Sequence, residues 1–82
     1  MYVKAFIPKG TEYVASFNDT PYFTEMDYYT TVDVEEEDLG NIHWIRHLAK
    51  NNLIKTIAKK EFMNIKYWTR IWLDTVDIQV VR

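Results

Sequence analysis

Hydrophobic positions change their repeat along this chain. Residues 2–7 put Val3, Ala5 and Ile7 on one side, the two-residue period of a strand. Pro8 and Gly10 then supply turn chemistry, so a second strand over 12–17 is expected to return antiparallel to the first. The run Asn18, Asp19, Thr20, Pro21 makes the next turn. Beyond it, 22–24 and 28–32 are aromatic and Thr-rich, which suits a pleated surface.

A helical period follows. Asp33 is placed as N-cap with Glu36 at capping-box spacing, and Glu35, Glu36, Glu37 and Asp38 would fill a first turn where the helix dipole favours negative charge. Leu39, Ile42, Ile45, Leu48 and Ala49 share one face, with Trp44 at its margin. Leu53, Ile54, Ile57, Ala58 and Phe62 form a second stripe out of phase with the first, so Asn51 and Asn52 read as a break between helices of about 34–50 and 53–62. A strand across 53–60 fits worse, because lysines would fall on both of its faces.

From Asn64 to Arg82 the period returns to two. Ile65, Tyr67, Thr69, Ile71 and Leu73 alternate with Lys66, Trp68, Arg70 and Trp72. The phase flips at Asp74 and Thr75, after which Val76, Ile78 and Val80 share a face. A C-terminal hairpin explains the flip, as does a bulge in one long strand, and the hairpin is the preferred expectation. The sum is an α+β class, small single domain spanning residues 1–82: N-terminal antiparallel β-strands, one or two central helices, and a C-terminal β-hairpin or long strand.

Composition sharpens this picture. The chain has 82 residues, 48% hydrophobic and 16% aromatic, too apolar for disorder yet short enough that its core must be thin. It lacks cysteine, which removes disulfides and thiolate metal sites and points to a cytoplasmic setting. No apolar run approaches the ~20 residues of a membrane span, so no membrane is expected among its partners. Asn18, Asp19 and Thr20 match a glycosylation sequon, discounted without a secretion signal.

Charge is divided between the halves. Residues 1–40 hold two lysines against nine acids, and residues 41–82 hold eight cations against three, a split of −7 and +5 inside a net charge of −2. Such asymmetry bears on partners more than on fold.

The chemistry-bearing residues argue against an enzyme. Ser16 is the single serine, and Gly10 and Gly40 are too few for a phosphate-binding loop. His43 and His47 stand at i and i+4 with Glu36 further along the same stripe. However, Trp44 sits where a hydrolytic zinc motif needs its glutamate, so they read as solvated side chains. Glu35 to Asp38 would fan around a helix and cannot face one another across a cleft. No catalytic residue, cofactor or metal is expected.

Two surfaces remain. Asp19, Tyr22, Glu25, Asp27, Tyr28 and Tyr29, with Glu35, Glu36 and Glu37 nearby, mix acids with tyrosines, which bury much area for little lost rotamer freedom. They are the expected partner-binding residues of a non-enzymatic protein-binding module that occludes a partner protein with a basic surface. Lys55, Lys59, Lys66, Trp68, Arg70 and Trp72 form the alternative, a small nucleic-acid-binding domain in which a basic helix stands beside a Trp-bearing strand. A winged-helix arrangement is the version of this that fits the element order, although an acidic chain suits it poorly. In broad character the whole chain resembles the small accessory proteins that phages encode to block host machinery, anti-CRISPR-type inhibitors included. That resemblance of style assigns no residue. A homodimer is compatible with every reading, since halves of opposite sign pair head-to-tail.

Overall fold

The computed structural model describes residues 1–16, 18–63 and 65–81. Six strands, β1 (Tyr2–Ile7), β2 (Glu12–Ala15), β3 (Thr20–Phe23), β4 (Tyr28–Asp33), β5 (Ile71–Leu73) and β6 (Gln79–Val81), accompany one helix, α1 (Ile42–Glu61). They build two three-stranded antiparallel sheets of order β4-β1-β6 and β3-β2-β5. The α+β class is therefore as expected.

The two sheets lie end to end along three arms. In the central arm, β1 runs on into β2 through residues 8–11, so β2 does not turn back on β1 as the Pro8 and Gly10 signal implied. The chain reverses instead between β2 and β3, and β3 and β4 return beside the central arm as the second. Ile7 faces Tyr28 and Glu12 faces Phe23, which leaves 8–11 opposite 24–27 with the register unbroken. Gly10, at φ +87°, gives this joint a backbone conformation that a side chain would strain. Its N–H donates to the Thr24 carbonyl at 2.9 Å.

The third arm is β5 followed by β6, and it corrects the hairpin expectation. These strands lie in different sheets, antiparallel to β2 and β1 in turn, so 71–81 is one interrupted strand. Tyr13 faces Leu73 and Phe6 faces Gln79, so residues 74–78 span what 7–12 span on the central arm. That one-residue mismatch is the phase flip seen in the sequence. A 3₁₀ turn over Thr75–Asp77, capped by the Asp74 carboxylate accepting from the Val76 N–H, takes it up.

The helix corrects two further expectations. It begins after Asn41, whose side chain accepts from the Trp44 N–H, and not at Asp33. Asp33 ends β4 and accepts from the Met1 ammonium at 2.8 Å. Glu36–Asp38 form a separate 3₁₀ turn, so the acids precede the helix and none lies in its first turn. Nor does the helix break at Asn51 and Asn52, which are exposed within one 20-residue element. Ile45, Ala49, Leu53 and Ile57 form an i+4 line that drifts only about 40° per step and stays on the sheet. Ile54 and Ala58 are buried because a second layer, the 3₁₀ segment Ile65–Arg70, packs on α1 with Trp68 against the core. Two partners on one helix give the out-of-phase stripes. The same segment replaces the first part of the expected C-terminal strand. The expected strand end at Phe17, and the tail's limits at Asn64 and Arg82, lie outside the described residues.

The core sits between α1 and one sheet face. Val3, Ala5, Ile7, Tyr13, Ala15, Tyr28, Val32, Ile71, Leu73 and Ile78 are buried there. Each Val, Leu or Ile side chain so removed from water contributes about 1.5–3 kcal/mol. Alternation then fixes what the other face must carry.

Candidate docking face

Two devices hold the helix on the sheets. Near its start, Arg46 Nε donates to the Ile78 carbonyl at 2.9 Å. At its end, Glu61 accepts from the Tyr13 hydroxyl at 2.5 Å and from the Glu25 N–H at 2.8 Å. Tyr13 belongs to one sheet, Tyr28 to the other, and Glu25 to the joint. Burial first, then the charge of Glu61, pushes the Tyr28 phenol up to about 12. Burial, the hydrogen bond to Glu61 and its charge raise Tyr13 well above the usual phenol range. Around this anchor, Tyr13 stacks on Tyr22, and Phe62 meets both rings edge-on.

Because Val3, Ala5 and Ile7 point to the helix, Tyr2, Lys4 and Phe6 point away. Register places Tyr29, Thr31 and Asp33 beside them from β4, and Gln79 and Val81 from β6. This face has no element packed over it among the described residues. Tyr2 is 80% exposed, Tyr29 57% and Val81 45%. Phe6 and Tyr29, directly opposite in the ladder, stack with centroids 5.4 Å apart. At the joint the same face continues into a groove of about 500 Å³ lined by Pro8, Glu12, Phe23, Val76, Asp77 and Gln79, with Lys9 at its edge. Phe23 and Val76 are both largely exposed.

The structure sorts the expected partner-binding residues into separate places. Tyr28 is 3% exposed and belongs to the core. Tyr22 is half-buried on the helix side, its hydroxyl accepting from Asn18 Nδ2 at 2.6 Å. Asp19, at φ +52°, sits in the distant β2–β3 turn. Tyr29 alone of the tyrosines named in advance lies on the open face. Exposed acids bracket it: Glu25 and Asp27 at the joint end of β4, Glu35, Glu36 and Glu37 beyond the other end. Asp27 is fixed by accepting from the Lys9 N–H at 2.6 Å. Sequence reasoning missed Tyr2, Phe6 and Val81 on this face. The signal was present in β1, where apolar residues occupy both faces.

The alternative set is also rearranged. Trp68 and Trp72 do not share a strand face. Trp68 tucks half-buried against the helix with the Lys55 ammonium 4.9 Å from its ring centre, whereas Trp72 is 69% exposed on β5. Lys59, Lys66 and Arg70 are exposed. Among the described residues, one continuous helix with no C-terminal hairpin after it also excludes a winged-helix arrangement. His43 and His47 are exposed, His47 stacked on Trp44, and Glu36 lies outside the helix they share. Among the described residues, no group of three or more His, Asp or Glu side chains is placed to hold a metal ion, and no helix is long and apolar enough to cross a membrane.

No protein-family model matches the chain, and no curated protein or solved structure is significantly similar to it.

Proposed function

We propose that this chain is a non-enzymatic binding module that docks the open face of its β1, β4 and β6 sheet onto a partner protein and occludes that partner's surface. One observation carries the reading: α1 covers one side of the sheet, while the other side leaves Tyr2, Tyr29 and Val81 in solvent around a half-buried Phe6. Contiguous exposed aromatics of this kind mark interaction surfaces in soluble proteins. Acids at both ends of β4 favour a partner with a basic surface, by steering the encounter before the tyrosines are buried. A small inhibitor of host machinery, of the kind its general character resembles, would act in this way.

The test is capture from a lysate of the cell that encodes the protein, washed at low and at high salt. Proteins retained by the wild type should be lost from a Phe6→Ser, Tyr29→Ser variant, whereas Glu25→Lys, Asp27→Lys should slow association and weaken its salt dependence. A captured set and binding rates unchanged in both variants would refute the assignment.

A further inference from the structure

Away from the open face of that sheet, the third arm and the helix enclose a second groove. Lys50, Asn51 and Ile54 from α1, Trp68 and Thr69 from the 3₁₀ segment, and Ile71 and Trp72 from β5 line about 260 Å³ of it. Trp72 offers the freer indole, at 69% exposure, and Trp68 forms a wall with Lys55 already over its ring. Lys59 is exposed one turn beyond Lys55, and Lys66 and Arg70 flank the two tryptophans along the segment. Indole faces accept any base by stacking, and lysines at a groove's margin neutralise phosphates. Trp72 and Lys50 also border a groove holding Glu12, Asp74 and Asp77, whose charges favour a polyanion on the side of the ring nearer Trp68 and Lys55.

We infer that this groove is a binding site for a short stretch of single-stranded nucleic acid, with one base stacked on Trp72 and its phosphates on Lys50 and Lys55. The juxtaposition of a solvent-facing indole with a lysine flank distinguishes that occupant from an acidic peptide, which needs the cations alone. The site is separate from the docking face and does not depend on it.

The experiment is anisotropy of a labelled oligothymidylate of ~10 nucleotides, a length within the usual site sizes, titrated with the full chain at low salt. Micromolar binding is expected, weakening severalfold or more between roughly 50 and 200 mM salt. Trp72→Leu should weaken it at least about tenfold, the size of one lost stacking contact. Lys50→Glu, Lys55→Glu should abolish it, and Trp44→Leu, elsewhere on the helix, should leave it unchanged. Circular dichroism of each variant confirms folding, and Trp72 is exposed enough to be replaced without loss of the core. No binding at tens of micromolar overturns the inference. So does equal competition by an abasic sugar-phosphate strand or by polyglutamate, which would reduce the site to a cationic patch. Retained affinity in Trp72→Leu overturns it as well.

Discussion

Glu61 is one side chain on which several parts of this fold meet. Its carboxylate accepts from the Tyr13 hydroxyl and the Glu25 N–H, and it faces Tyr28, so it ties the end of α1 to both sheets and to their joint. In Glu61→Ala, a charge-assisted hydrogen bond of about 1.5–3 kcal/mol is removed, and the hydroxyl of a buried tyrosine loses its acceptor at roughly 1–3 kcal/mol. These overlap, so the expected loss is about 2–4 kcal/mol, a large share of the ~4–12 kcal/mol that a chain of this length holds. At a urea slope of about 1 kcal/mol/M, the midpoint should fall by roughly 2 M or more. Glu61→Gln, which keeps an acceptor but no charge, should cost less. A double-mutant cycle with Tyr13→Phe should show coupling of about 0.5–3 kcal/mol. Urea unfolding followed by tryptophan emission reads all five proteins. An Ala variant within about 0.5 kcal/mol of wild type, or an additive cycle, would refute the reasoning.

Three further outcomes are expected. Tyr13 and Tyr28 hold their protons more tightly folded than unfolded, where phenols titrate near 10. Their contribution is therefore complete below pH 10 and falls as pH rises from there, that of Tyr28 being lost by about 12 and that of Tyr13 only at higher pH, and a pH series of unfolding midpoints should steepen above 10 in wild type and less in Glu61→Gln. Asn52→Ala, exposed within a continuous helix, should stabilise by about 0.5 kcal/mol in thermal unfolding, and a loss instead would favour a break at that point. Gly10→Ala should destabilise by about 1–2 kcal/mol through its left-handed backbone alone, since the added methyl meets nothing within 4 Å.

The periodicities carried most of the elements but not their partners. Strands at 2–7, 12–15 and 28–33 follow from β propensity and alternation, which are local. Pairing is not local. Pro8 and Gly10 have the chemistry of a hairpin turn, yet here they bend a strand that keeps its direction, and only the register from Ile7–Tyr28 to Glu12–Phe23 reveals it. The helix divides in two by periodicity because Ile54 and Ala58 answer to a second layer, and two stripes on one helix with two partners have the pattern of two helices. The acidic run suggested a helical first turn, but Asn41 is the better cap and took the N-terminus. At the candidate site, Tyr29 was legible and Tyr28 was not, since neighbours in a strand point to opposite faces and one residue of phase decides which ring is core. Tyr2 and Phe6 escaped notice because β1 is apolar on both sides, and its outer face became visible only when a helix was found on the inner one.

Whether that outer face is bare can be read directly by nitrating the intact chain under native conditions and mapping modified tyrosines by mass spectrometry. Tyr2 and Tyr29 should react quickly, while Tyr13 and Tyr28, each 3% exposed, stay protected until the chain unfolds. Protection of Tyr29 to the same degree as Tyr28 would mean that something already covers the face, and the proposed docking surface would not exist.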